Sequence, residues 1–406
     1  MALERPLQPM PRPSEFVCGL SLTHATNALI GFVFAASGPI AIILTAGTQG
    51  RLSEAEIASW VFGALFGNGL LSIFFCWRYR TPLVFFWTIP GTVLVGPALL
   101  NASYPDVIGA FIAAGVIMAL LGALGLVGRV MAAIPMSVVM GMVAGVFLPF
   151  GLDWLRALQK DFLIAGPMTA AFLVAGLLPG RAGRFPPLIA ALMAGLASIV
   201  AVYGWPTLGL DPAVALALAR PVLHTPGFST AALLELVVPL VITVLMVQNG
   251  QGIAILTAAG HTPPVNAIAT GCGLWSILLA PIGTVSTCLT GPVNAILSSG
   301  GERETQYTAG ILVGLLAVAV GLFAPLFTKA MLAAPPAFIA TLAGLAMLRV
   351  LQTAFLEAFS GRFALGALVA FLVTVAGIPV LNIGAPFWGL VAGLAVARTL
   401  ERRDIA

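Results

Sequence analysis

The sequence predicts an all-α polytopic membrane protein of about fourteen transmembrane segments, built as two inverted repeats of seven. The third and tenth segments are expected to be short extended strands that feed half-helices. Three observations carry this expectation. Of 406 residues, 60% are hydrophobic and only 8% charged, against roughly 25% charged in soluble domains. A polar breaker, T-x-P-x-[T/N], interrupts the apolar stretches 84–96 and 286–298 at an offset of 202 residues, matching Thr88 with Thr290, Pro90 with Pro292 and Thr92 with Asn294. Further echoes recur in the same order in both halves.

A spanning helix uses about 20 apolar residues. On that basis segments are expected at 16–46, 53–77, 83–101, 105–127, 130–150, 161–179 and 185–203, then at 230–259, 264–281, 284–299, 305–327, 330–351, 363–379 and 384–400. Residues 129–148 resemble 329–348, with Pro135 on Pro335, while 171–179 recurs at 370–379 and 41–47 at 253–260. Seven spans per half is odd, so the second half enters from the opposite side of the membrane, the inverted repeat of many secondary carriers. The organisation is then a tail (1–15), the first repeat (16–203), a connector (204–229) rich in proline, the second repeat (230–400) and a second tail (401–406). Residues 1–15 lack the apolar core of a cleavable signal and are expected to be disordered.

Basic residues set the orientation. With the N-terminus inside, thirteen Arg face the cytoplasm, among them Arg80, Arg181, Arg184, Arg303 and Arg403, and five basic residues (Arg51, Arg156, Lys160, Arg220 and Lys329) face out. Both termini are therefore expected in the cytoplasm. The net charge of +4 needs no acidic partner, and no soluble mass remains for a catalytic or nucleic-acid-binding domain. Cys18, Cys76, Cys272 and Cys288 show no metal-ligand spacing and read as buried thiols. No cofactor or metal is expected. Most of the 45 glycines fit close helix packing, as at Gly141 and Gly145.

Packing does not account for Pro90 and Pro292. Proline fixes φ, lacks an N–H and suits the first turn of a helix. A helix that starts at mid-membrane presents free N–H groups and a positive dipole end, which attract a carboxylate. Thr88, Pro90, Gly91 and Thr92 form one such start, and Thr290, Gly291 and Asn294 the other. Their side chains either cap the helix alone or also touch a ligand. A second polar cluster lies in VQNGQG, where Gln248, Asn249 and Gly250 echo Ser37 and Gly38 of the first segment. These amides either satisfy one another between helices or bind. No Asp, Glu, Lys or Arg sits in the middle of a segment, and Glu235 lies near a helix end. That absence disfavours cation transport. His24 is the clear titratable group inside a segment, about two turns from its start, and is either a proton relay or a packing residue. In an extended 85–88 stretch, Phe86 and Thr88 share one side, and an aromatic ring beside a helix dipole suits a small aromatic acid.

FWTIPGT, VQNGQGIAIL and STCLTGPVNAILSSGGE resemble the benzoate membrane transport family, bacterial benzoate/proton symporters, and the likeness runs from Ser14 to Arg398. It implies a relationship to nucleobase and sulfate carriers, a core and a gate domain, and a substrate between the two broken segments and the first and eighth. It also implies residence in the bacterial inner membrane. Nucleobase carriers place carboxylates where this chain has Gln248, Asn249 and Thr290, which disfavours a nucleobase. The implied partners are a small organic anion, a proton and the lipid bilayer; a homodimer is compatible. An anion entering a cell opposes about 2.3 kcal/mol per 100 mV, which one accompanying proton cancels. The alternatives are a carrier for another organic anion or a nucleobase, or a small-anion channel. An enzyme would need a nucleophile–base pair or metal triad, and neither pattern is visible.

Overall fold

The computed structural model describes residues 3–177, 187–204, 217–381 and 383–402. Arg181, Arg184 and Arg403, and much of the expected connector, lie outside these residues. Eight helices among the described residues are long and apolar enough to cross a membrane: Leu22–Gln49, Glu54–Tyr79, Tyr104–Ala123, Met136–Lys160, Thr230–Ala258, Val265–Ile282, Arg303–Leu322 and Pro336–Phe359. Four shorter apolar helices join them, Ile89–Asn101, Phe162–Leu177, Pro187–Tyr203 and Ala364–Ala376. Large apolar side chains such as Phe74, Leu120, Leu173, Leu278 and Leu372 are exposed, as a lipid-facing surface requires. The chain is a multi-pass membrane protein.

Local sequence explains where helices begin. Ser53 Oγ accepts the Glu56 N–H while Glu56 accepts the Ser53 N–H, a reciprocal cap. Ser103 and Ser229 cap the helices that follow them by accepting the Asp106 N–H and the Ala232 N–H. Pro135 and Pro335, aligned in the sequence repeat, stand immediately before the two long helices Met136–Lys160 and Pro336–Phe359. Each is preceded by a short separate helix, Val127–Ala133 or Ala324–Ala333. The spans expected at 130–150 and 330–351 therefore begin later than the apolar run, because an extended proline interrupts it.

Two further expectations are corrected. Residues 3–12 dock rather than trail. The Glu4 carboxylate accepts the N–H groups of Asn266 and Ala267 at 3.0 Å each, capping the helix that begins at Val265. Residues Pro13–Gly19 then form a short helix of their own, so the span expected at 16–46 begins at Leu22 and is broken at Ser37 (φ −96°, ψ −98°).

Packing divides the helices into two groups. Met136–Lys160, Phe162–Leu177, Pro187–Tyr203, Pro336–Phe359, Ala364–Ala376 and Ala385–Thr399 pack mainly on one another. Glycines allow this closeness: a Cβ at Gly145 would lie 2.8 Å from Thr374, and one at Gly141 would strike the Ala367 carbonyl. The other spans pack among themselves. Contact between the groups is made where Gly38–Gln49 meets Pro336–Phe359, Ile89–Asn101 meets Met136–Lys160, and Thr230–Ile242 meets Ala385–Thr399.

Candidate functional site

At the centre of the second group lie two three-residue strands, β1 (Phe85–Trp87) and β2 (Thr287–Leu289), paired antiparallel with Phe86 opposite Cys288. All six residues are buried. The pairing extends by one reciprocal step at each end: Thr88 N–H donates to the Ser286 carbonyl at 2.9 Å, and Thr290 N–H to the Val84 carbonyl at 3.0 Å. The offset of 202 relates one bond to the other, so the repeat read in the sequence is a near-symmetric ribbon in space.

A two-stranded ribbon has bare edges, and unsatisfied backbone groups away from water are costly. Polar side chains from neighbouring helices complete them. Ser72 Oγ accepts the Phe85 N–H at 2.8 Å, and Ser276 Oγ accepts the Thr287 N–H at 2.9 Å. Asn249 Oδ1 accepts the Leu289 N–H at 2.7 Å, and Asn294 Oδ1 accepts the Val84 N–H at 3.0 Å. Asn68 receives the Thr287 hydroxyl at 2.7 Å. Ser72 and Ser276 are structural supports of the ribbon that inspection of the broken segments misses. The matching LLSI (70–73) and LWSI (274–277) are the signal that could have found them.

Beyond the ribbon the two helix starts differ. Thr88 caps its own helix, Ile89–Asn101, by accepting the Gly91 N–H at 3.2 Å, and Thr92 donates back to the Thr88 carbonyl at 2.7 Å. Pro90 fills a first-turn position whose N–H would have been unpaired, and Leu240 closes over Gly91. The cap itself is self-contained, although Trp87 Nε1 and Ser286 Oγ beside it are buried without a partner among the described residues. In the second, Thr290 makes no side-chain cap on Gly291–Ser298 and is only half-buried. Gln251 is exposed, and its Oε1 would lie 2.6 Å from a Cβ placed on Gly291. Gln248, in the π-helical turn Thr243–Asn249, hydrogen-bonds to none of the described residues, and neither does the Thr290 hydroxyl. Thus Gln251 and the Thr290 hydroxyl stand free at Gly291, while Asn249 turns to the ribbon.

The remaining expected residues are accounted for individually. Ser37 is buried and donates to the Phe34 carbonyl at 3.0 Å, where the first span breaks. Gly38 abuts Ala346 of the other helix group, and Gly250 rests against Met131. Phe86 is buried edge-on to Trp87 at 5.7 Å, and Phe85 packs on Phe75 at 4.8 Å. His24 does not lie two turns into a span: it is the third residue of Leu22–Ala36, because the chain breaks at residues 20–21. Its Nδ1 lies 3.0 Å from Ser21 Oγ and 3.1 Å from the Gly19 carbonyl. Its Nε2 is buried without a partner and faces Gly301, whose φ of +78° suits glycine.

Near that end is a cavity of about 330 Å³ lined by Glu4, Arg5, Arg80, His261 and Arg303 among others. Arg80 pairs with Glu15, whose carboxyl is held below its usual range by the Arg12 backbone and by Arg80. Burial pushes the His261 imidazole down, opposed by its hydrogen bond to Gln306. The cavity is basic, but it touches none of the residues at the ribbon.

Apolar spans surrounding a central ribbon with a helix start at each end define the class: a membrane transporter fold. Solved structures share it. The transmembrane domain of a cyanobacterial bicarbonate transporter, BicA, superposes with a TM-score of 0.57 at 18% identity, covering 92% of this chain and 98% of that one. The murine anion transporter Slc26a9, in its inward-facing state, gives 0.65 at 11% identity over 98% of this chain and 73% of its own. The family model for the benzoate membrane transport protein, BenE, matches residues 19–399, and the chain belongs to that family. It is 31% identical over 372 residues to the inner membrane protein YdcO of Escherichia coli K12, covering 90% of this chain and 91% of that one. It is 28% identical over 382 residues to the benzoate membrane transport protein of Acinetobacter baylyi, covering 92% and 94%.

Proposed function

We propose that this chain is a secondary carrier of the bacterial inner membrane that imports a small, benzoate-like aromatic carboxylate together with a proton. The observation that carries the reading is the unequal pair of helix starts. One threonine spends its hydroxyl on its own helix, and the other leaves hydroxyl and helix end free beside the uncommitted Gln251. A carboxylate would accept from the Gly291 end of the helix and from Thr290, with Gln251 beside it. The aromatic ring would lie against the apolar ribbon, where Phe86 and Pro292 offer surface. Asn249, Asn294, Thr92 and Ser37 would support the site from behind. The proton offsets the anion's charge against the membrane potential, and His24, at the Arg80–Arg303 end, would relay it. Alternating access would follow from movement of one helix group against the other, in two oppositely oriented repeats with both termini cytoplasmic. Nothing in this account requires an enzymatic step.

Calorimetric binding to the purified protein tests the reading: benzoate should bind, cyclohexanecarboxylate more weakly and uracil not at all. Preferential binding of uracil would overturn it.

A further inference from the structure

One buried acid is left unused by this scheme. Glu235 is the sixth residue of Thr230–Ile242 and only 7% exposed. It lies where that helix meets Ala385–Thr399, one of the few places where the two helix groups touch. Its carboxylate lies against Gly384, the residue that opens Ala385–Thr399. A Cβ on Gly384 would lie 2.5 Å from Glu235 Oε1, so the glycine is what lets the carboxylate reach the helix end.

No cation answers this charge among the described residues. The elements packed against Thr230–Ile242 are Tyr104–Ala123, Ile89–Asn101, the π-helical turn Thr243–Asn249 and Ala385–Thr399. Their titratable or charged groups are Tyr104, Asp106 and Arg398. Asp106 is occupied by Ser103 and Ser229, and Arg398 lies in the last turn of its helix, about 19 Å along from the Gly384 end. A lone carboxylate in a membrane protein's interior is costly, and such residues mark ion and proton paths. Five residues further along the same helix, past Pro239, Leu240 packs on Gly91 at the first helix start.

We propose that Glu235 holds the co-transported proton, binding it at the seam between the two helix groups. The proposal rests on the carrier reading above. The carboxylate takes one proton from water and becomes a neutral acid, and releasing that proton to water on the other side restores the anion. Charged, the carboxylate attracts the N–H groups at the Gly384 end of that helix more strongly than the neutral acid does. Protonation therefore loosens a contact that joins the two groups, which ties proton binding to their movement. His24 lies at the opposite end, beside Gly301, so the two titratable groups would serve different ends of the path.

Liposomes containing wild type, Glu235→Gln or Glu235→Asp separate the alternatives. Glutamine keeps an acceptor oxygen but cannot titrate. Glu235→Gln should retain benzoate counterflow while losing accumulation driven by an inward proton gradient, and Glu235→Asp should recover part of it. Gradient-driven accumulation by Glu235→Gln equal to wild type would overturn the proposal. Wild-type accumulation that ignores the proton gradient would overturn it too, yet leave the carrier intact, whereas absence of wild-type counterflow would fail the carrier reading itself. An apolar carbodiimide, which attacks protonated carboxyls, gives a readout on wild type alone. Mass spectrometry should find Glu235 labelled, less so as pH rises; an unlabelled Glu235 counts against the proposal even if the variants fail to fold.

Discussion

Thr290 donates its backbone N–H to the carbonyl of Val84 at 3.0 Å, joining residues 206 positions apart across the centre of the molecule. Thr88 repeats the bond to Ser286. These two bonds end a ribbon whose edges are completed by side chains, so the serines at those edges should matter for stability. Ser72→Ala and Ser276→Ala each strand a buried backbone N–H, at a cost of about 1–3 kcal/mol. Thermal unfolding in detergent should show both variants destabilised by similar amounts. Wild-type stability in either would mean that the edge groups find other partners.

The two breaker threonines should behave differently. Thr88→Ala removes a helix cap and should cost about 1 kcal/mol of stability, with benzoate affinity unchanged. Thr290→Ala should leave stability near wild type and weaken binding by roughly 10- to 150-fold, the worth of a hydrogen bond to a charged group. Calorimetry on the two purified variants decides between this asymmetry and a symmetric site.

His24→Gln keeps hydrogen-bonding capacity without titrating. It should bind benzoate normally and slow proton-driven accumulation. Accumulation at the wild-type rate would reduce His24 to a packing residue on Gly301.

At His261, burial lowers the imidazole's proton affinity in the folded protein. The unfolded chain then binds the proton more readily, so stability falls as pH drops below the ordinary histidine value of about 6.5. His261→Gln should flatten the decline in melting temperature between about pH 7 and 5. An unchanged slope would place the pH sensitivity elsewhere.

Much of this fold was legible because membrane helices announce themselves by length and apolarity, and because proline leaves few backbone options. Pro90 and Pro292 marked both helix starts, whereas Pro135 and Pro335 fell inside expected spans and turned out to precede the two long helices. The division of labour among the polar residues was not legible. Asn249 and Gln248 are adjacent in sequence, yet one completes a strand edge and the other does not. That difference depends on which neighbour each rotated side chain meets, which local sequence does not encode. Ser72 and Ser276 were hidden similarly, since a lone serine in an apolar span usually bonds its own helix. The docking of Glu4 onto the Val265 helix joins residues 262 apart, and nothing in the tail's polar composition announces it.

Uptake of labelled benzoate into liposomes, with and without an inward proton gradient, tests the central claim most directly. The account predicts saturable accumulation that requires the gradient, collapses with a protonophore, and is displaced by substituted benzoates but not by uracil. Benzoate flux that ignores the gradient and does not saturate would contradict it.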